Sequence, residues 1–314
     1  DVYKRQRIGY KSGDSIAMLR SALVRGRKNN RLWEYEPVKN RWIYSAYDLT
    51  PENMSKILQH MRKKRPEFLH VYPSALTQLA SHMKANNEKP VPSVKGILSG
   101  SENTYPSQIQ MFEEVFQCPV FRWYGMGEMA ALAGSCEKTH NYHAYNTYSY
   151  VELIDDDGNH VSEIGARGEV VGTAFDNYAM PLIRYRTGDY AYYSGNHCEK
   201  CGRHGMIFSE IEGRSQEMVI DRNGNKHSLA PFIFGIHDTL WANISAIQFV
   251  QSKKGELELL AVSNVLPDSE IIAYLQNVFE ERFSPNFELT INPVDRIPRT
   301  SAGKQMYLVQ KLAI

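Results

Sequence analysis

Between Thr50 and Tyr124 the hydrophobic pattern switches back and forth between a helical and a strand period, and this alternation is what most limits the fold. Thr50 can cap a helix opened by Pro51, with Met54, Ile57, Leu58 and Met61 on one face. Phe68-Leu69-His70-Val71 then reads as a short buried strand. A second helix runs from Pro73 with Leu76, Leu79, Ala80 and Met83 inward, and Val94 to Leu98 returns as a strand. A third helix carries Ile109, Phe112, Val115 and Phe116, before a strand from Pro119 to Trp123. Such alternation is the signature of βαβ units around a parallel sheet, where ligands sit beyond the carboxyl ends of the strands. The turns Ser99-Gly100-Ser101-Glu102 and Tyr124-Gly125-Met126-Gly127-Glu128 fall there.

From about Tyr145 the texture becomes antiparallel: Tyr148 to Ile154 leads into Asp155-Asp156-Asp157-Gly158-Asn159, a hairpin signal, and Gly168 to Ala174 answers as a strand. After Gly213-Arg214 a second pattern begins, with strands at 217–220, 244–251 and 256–262, a helix near 231–240 and another over 267–283. The expected fold is α/β: the parallel-sheet portion of a large domain over residues 1–213, turning β-rich from about residue 136, then a small α+β domain over 214–314. The length of 314 residues suits two domains.

Charge excludes some functions. Lys+Arg 36 against Asp+Glu 35 leaves a net charge of +1, which gives no general footprint for nucleic acid or anionic membrane. The basic start, with Lys4, Arg5, Arg7, Lys11 and Arg20 among others, has only Tyr3 and Tyr10 set among its charges for stacking bases and reads as a solvated face. No apolar run reaches the ~20 residues of a membrane span, so a cytoplasmic location is expected. The chain begins at Asp1, which suggests a fragment or processed product.

Two of the four cysteines form Cys198-Glu-Lys-Cys201, a spacing that suits one side of a tetrahedral zinc ion. Two further ligands must come from elsewhere, and Cys136 with either His140 or His143 is available. Cys118, beside Pro119, reads as small core packing.

Three loop sequences stand in order: Tyr124-Gly-Met-Gly-Glu128, Tyr185-Arg-Thr-Gly-Asp189 and Pro298-Arg-Thr-Ser-Ala-Gly-Lys304. With Gly213-Arg214 between the second and third, the set resembles the adenylate-forming superfamily of acyl-CoA ligases, luciferases and peptide-synthetase adenylation domains. The resemblance covers residues 65 to 312. Gly100-Ser101-Glu102, Trp123-Tyr-Gly125, Pro181 to Asp189, Cys198-x-x-Cys-Gly-Arg203 and Pro298-Arg-Thr300 point to its phenylacetate-CoA ligase-like branch, particularly capsule-biosynthesis and coenzyme F390 synthetase-like proteins.

That resemblance implies a nucleotide site. Tyr124 would stack on adenine while Gly125, lacking Cβ, permits close approach, with Ser101 and Glu102 bordering the same base. Asp189, following a strand, would accept the ribose hydroxyls and Arg214 would lie near them. Glu128 would help hold Mg²⁺ by the phosphates of ATP. Lys304, on a loop that Gly303 lets turn tightly, would be the catalytic residue, bringing positive charge where pyrophosphate leaves. Gln216 stands at the interdomain hinge, where relatives carry Asp or Lys, and Gly127 where they carry a hydroxyl residue. The branch also implies His143 rather than His140 as the fourth ligand of a structural Zn²⁺ with Cys136, Cys198 and Cys201.

The family's Ser/Thr-Gly-rich phosphate loop has no match here, because Lys11-Ser-Gly-Asp-Ser15 is short and lacks the repeated glycines. The chain is therefore expected to be N-terminally truncated and inactive by itself. The expected activity of the parent is that of an AMP-forming ligase, which joins a carboxylic acid, aromatic by the hint of Tyr72, Pro73 and Trp123, to coenzyme A through an acyl-adenylate. An adenylyltransferase that keeps AMP on its product and an inactive zinc-stabilised binding module are the rivals. The expected partners are a small-molecule carboxylic acid and coenzyme A, with a homodimer left open.

Overall fold

A computed structural model describes residues 6–20, 24, 31–46, 49–214, 218–224, 226–229, 244–263, 268–282, 286–299 and 305–312. The chain divides into two compact units, one made of residues 12–97, 104–120 and 216–314, the other of residues 1–11, 98–103 and 121–215.

The first unit begins with β1 (Ile16–Leu19), β2 (Trp33–Glu36), β3 (Arg41–Tyr44) and β4 (Phe68–Val71), and it contains the start of β5 (Gly96–Gly100). Strand β1 pairs in parallel with both β3 and β4, and β2 closes the edge antiparallel to β3. Three helices connect the parallel strands: α1 (Pro51–Lys64), α2 (Pro73–Ala85) and α3 (Pro106–Phe116). Their starts and faces follow from the residues. Thr50 caps α1 by accepting from the Asn53 N–H at 3.3 Å, Pro51 opens it, and Met54, Ile57, Leu58 and Met61 are buried. Arg65, at φ 55°, ends it in the left-handed conformation. Leu76, Leu79, Ala80 and Met83 of α2 and Ile109, Phe112 and Phe116 of α3 are buried in the same core.

The second unit is antiparallel. Its strands are β6 (Val120–Gly125), β7 (Leu132–Ser135), β8 (Tyr142–Ala144), β9 (Ser149–Ile154), β10 (Arg167–Ala174), β11 (Tyr185–His197) and β12 (His204–Arg214), in the spatial order β6-β7-β8-β12-β11-β10-β9. Leu153, Val170, Ala191 and Phe208 form its core.

The remaining elements return to the first unit: the hairpin β13 (Met218–Ile220) and β14 (Lys226–Ser228), then β15 (Ile244–Lys253), β16 (Glu256–Ser263), α4 (Asp268–Arg282), β17 (Glu288–Pro293) and β18 (Leu308–Gln310). Strands β15 and β16 pair antiparallel, with β18 parallel to β15 and β17 parallel to β16. Phe249, Leu259 and Leu275 share the core of α1 to α3, and Gln108 of α3 donates to the Tyr307 hydroxyl at 3.4 Å. The helix expected near 231–240 lies outside the described residues. Among the described residues no helix is long and apolar enough to cross a membrane.

Candidate nucleotide site and metal centre

The residues expected to hold the nucleotide that are described, Ser101, Glu102, Tyr124, Gly125, Glu128, Asp189 and the backbone of Arg214, all belong to the antiparallel unit. Lys304 and Gln216 lie outside the described residues. Two local expectations need correction. Tyr124 and Gly125 are not in a turn: they are the last residues of β6, held against Ala133 and Leu132 of β7. Asp189 does not follow a strand but lies within β11, opposite Arg214 of β12. Gly188, at φ 73°, makes Arg-Thr-Gly-Asp read as a turn, yet it lies within β11, where the register with β10 shifts across it and the pairing with β12 begins at Asp189.

A network fixes that part of β11. The Thr187 hydroxyl donates to the Val170 carbonyl at 2.7 Å and accepts from the Asp189 N–H at 3.1 Å. The Gly188 N–H donates to the Glu169 carboxylate at 3.0 Å, and Arg186 Nε donates to the same carboxylate at 2.6 Å. The result is a buried Asp189 carboxylate whose Oδ2 accepts from the Tyr124 hydroxyl at 2.8 Å. An oriented carboxylate is the acceptor that a vicinal diol needs.

Ser101 follows β5 at φ 70°, a conformation uncommon for a residue with a Cβ. The strand end beside it admits only glycine: a Cβ on Gly100 would come within 2.4 Å of Trp123 Cε2. Glu128 is half-buried in the turn after β6, next to Met129 at φ 62°. Tyr72 and Pro73 are buried, and Tyr72 belongs to the core of the first unit.

The second constellation is the cluster of Cys136, His143, Cys198 and Cys201. Cys136 follows β7, His143 is in β8, and the cysteine pair forms the tip of the β11–β12 hairpin. One ligand atom from each lies within 4.8 Å of all the others, and Cys201 Sγ is 3.7 Å from His143 Nε2. Zinc–sulfur bonds of about 2.3 Å would put tetrahedral ligand atoms about 3.8 Å apart, so a small contraction closes the shell. Three thiols and one imidazole are the donor set zinc prefers. Burial, with Arg7 and Arg203 nearby, lowers His143 to about 4, which keeps the imidazole neutral with a lone pair to give. Its Nδ1 is buried with no hydrogen-bond partner, so Nε2 is the atom facing the thiols. Burial pushes the Cys136 thiol up, but hydrogen bonds from Thr139 and the Lys138 N–H outweigh it and hold the thiol below its ordinary range. These residues fit zinc, and four protein ligands leave no open position for substrate. His140, the other candidate, is not in the cluster: at φ 61° it turns the loop, and its carbonyl accepts from Arg122 at 2.6 Å.

Sequence reasoning missed the groups that brace both sites. The Tyr124–Asp189 bond, Arg122 and the Glu137–Arg203 ion pair all join positions far apart in the chain. Arg203 beside Glu137 holds that carboxyl down to about 2.

Comparison with known proteins fits this geometry. Residues 43–173 match the AMP-binding enzyme family. The chain is 23% identical to protein CapK of Staphylococcus aureus over 99% of its own length and 68% of that protein's. It is 24% identical to the phenylacetate-coenzyme A ligase of Thermus thermophilus over 69% of its own length and 44% of the ligase's. Among solved structures, 2-hydroxyisobutyryl-CoA ligase in its postadenylation state superimposes with a TM-score of 0.73 at 16% identity, covering 98% of this chain and 67% of that one. The chain thus spans between under half and about two thirds of these relatives, and its similarity is to the adenylate-forming superfamily, in its phenylacetate-CoA ligase-like branch.

Proposed function

We propose that this chain is the nucleotide-handling and C-terminal part of an AMP-forming acid–thiol ligase. The observation that carries the reading is the buried Asp189 carboxylate, oriented by Tyr124 and set opposite Arg214. In the proposed reaction an oxygen of the substrate carboxylate attacks the α-phosphorus of ATP, pyrophosphate leaves, and an acyl-adenylate results. The thiolate of coenzyme A then attacks the acyl carbonyl and AMP leaves.

Each residue has one task. Tyr124, over Gly125, offers a flat face to adenine, and Ser101 and Glu102 border it. Asp189 and Arg214 hold the ribose, and Glu128 shares the Mg²⁺ that accompanies the phosphates. Lys304 supplies positive charge as pyrophosphate departs. Residues 1–213 then belong to the large adenylation domain, and residues 214–314 form a small domain that reorients about Gln216 between the two steps. Cys136, His143, Cys198 and Cys201 hold a structural Zn²⁺, which ties the loop after β7 to the β11–β12 hairpin. The reading places the protein in the cytoplasm, with a small carboxylic acid and coenzyme A as its partners. The names of the relatives, a phenylacetate-coenzyme A ligase among them, favour an aromatic acid.

The test is ATP–pyrophosphate exchange across a panel of carboxylic acids, using a protein of the relatives' length that contains this chain. AMP release is then measured with and without coenzyme A. The ligase reading requires acid-dependent exchange and AMP release that rises with coenzyme A. Exchange with AMP retained on the product would mark an adenylyltransferase, and absence of ATP binding a binding module.

A further inference from the structure

The four residues of the metal cluster come from two stretches far apart in sequence, so something other than chain connectivity must hold the stretches in register before metal binds. The antiparallel pairing of β8 with β12 does so at His143, which lies opposite Ile207, and on the Cys136 side there is, among the described residues, a direct bridge of opposite charges. Arg203 Nη1 donates to Glu137 Oε2 at 2.8 Å and Nη2 donates to Oε1 at 2.5 Å, a fork meeting a fork. Glu137 follows Cys136 directly, and Arg203 stands two residues after Cys201. Their side chains are 29% and 34% exposed, so the pair is partly shielded from water and salt.

Arg203 acts on its own loop as well. Its carbonyl accepts from the Cys198 N–H at 2.9 Å, and the Cys198 carbonyl accepts from the Gly202 N–H at 2.7 Å, which closes the cysteine knuckle. The other loop has separate internal supports. The Cys136 carbonyl accepts from the His140 N–H at 3.1 Å, and Arg122 grips the His140 carbonyl. Each loop therefore keeps its own shape by local bonds; the pairing of β8 with β12 fixes His143 against the second stretch, and the Glu137–Arg203 pair adds the link between the Cys136 loop and the cysteine knuckle.

We infer that Glu137 and Arg203 are the positioning residues of the metal site, fixing the distance between Cys136 and the Cys198–Cys201 knuckle and thereby how tightly and for how long zinc is held. The inference rests on reading the cluster as a zinc site. An ordinary half-exposed ion pair contributes little to stability. Groups that orient metal ligands from behind, by contrast, typically change metal affinity 10- to 100-fold.

The experiment uses the 314-residue chain, with zinc affinity measured by competition against a chromophoric chelator and zinc release followed after mixing with excess chelator. Glu137→Gln and Arg203→Gln should each weaken zinc binding by roughly 10- to 100-fold and speed release, while the melting temperature of the metal-free protein stays close to that of the unmodified chain. Arg203→Lys, which keeps the charge but not the fork, should fall between, and it serves if the glutamine variant does not fold. The swapped double variant Glu137→Arg with Arg203→Glu should regain most of the lost affinity. Zinc held equally well by the single variants would overturn the positioning role and leave the zinc site standing. An unmodified chain that takes up no zinc would overturn both.

Discussion

The Tyr124 hydroxyl donates a 2.8 Å hydrogen bond to the buried carboxylate of Asp189, joining the end of β6 to the middle of β11. These positions lie 65 residues apart. The bond settles which way the carboxylate faces.

Tyr124→Phe should therefore cost less than Asp189→Ala. Losing one hydrogen bond of ordinary strength is worth about 1 kcal/mol, or roughly a fivefold weakening of ATP binding. If Asp189 takes the ribose hydroxyls as proposed, Asp189→Ala removes the acceptor itself and affinity should fall further, by roughly tenfold or more. Calorimetric titration of ATP into the two variants checks the order. If Tyr124→Phe bound as poorly as Asp189→Ala, the ring's hydroxyl would be contacting nucleotide itself.

Gly100 is required by the Trp123 indole. A methyl group there would sit 2.4 Å from Cε2, inside any real contact, and both the strand and the ring would have to shift. Gly100→Ala should destabilise the protein by about 1–3 kcal/mol, as overpacking does in a closed space. Denaturant unfolding followed by tryptophan fluorescence measures the loss. Unchanged stability would mean that the indole can move aside freely.

Metal content tests the cysteine cluster directly. The purified chain should carry about one zinc, and Cys198→Ser should release it and lower the melting temperature, because binding energy of a site formed only in the folded state adds to folding energy. Elemental analysis and thermal unfolding with and without chelator provide the measurement. Zinc-free protein whose melting temperature is insensitive to added zinc would refute the assignment.

His60 gives the fold an acid-sensitive point. Its ring stacks on Trp33 with centroids 4.0 Å apart, and its Nδ1 is 3.0 Å from the Tyr44 hydroxyl. Burial, helped by Lys64 and Lys63, lowers it to about 4 from an ordinary 6.5. The folded state therefore disfavours the proton, and the unfolded chain binds it more readily. The stability this provides is complete above about pH 6.5 and is lost progressively as the pH falls towards 4. Unfolding free energies across that interval should drop less steeply for His60→Phe than for the unmodified protein. Parallel profiles would show that His60 takes up its proton equally in both states.

How much of this could be read from the residues depended on how local the cause was. The helix at 51–64 was readable because Thr50, Pro51 and the spacing of Met54, Ile57, Leu58 and Met61 specify it within a few residues. The Cys198–Cys201 spacing carried its chemistry in four residues. Strands β1 to β3 were missed: each has four residues, and β2 and β3 mix Trp with Glu or Arg, so no period could form before a partner was known. Asp189 was placed after a strand because Thr-Gly-Asp has turn chemistry, and the pairing of β11 with β10 and with β12 overrides it. Arg203 stood in the cysteine motif, but its pairing with Glu137 gave no signal, since an ion pair 66 residues apart has no pattern in one sequence.

The proposed role of Lys304 separates the two half-reactions. A substrate carboxylate is already a nucleophile, so the barrier to adenylation lies in bringing anions together while pyrophosphate leaves, and a positioned cation acts on that step. Such a charge is worth roughly 3–4 kcal/mol, so Lys304→Ala should slow adenylation by about 10²–10³-fold. If residues 214–314 reorient before thioester formation, the lysine no longer faces the phosphate, and acyl transfer from supplied acyl-adenylate should proceed at nearly the unmodified rate. Asp189→Ala should weaken both steps, because the ribose is held throughout. Each half-reaction is assayed alone, by pyrophosphate exchange and by thioester formation from synthetic acyl-adenylate, in a protein of the relatives' length. Equal losses in both steps for Lys304→Ala would assign the lysine to folding or to general nucleotide binding, and the charge-stabilising role would fall.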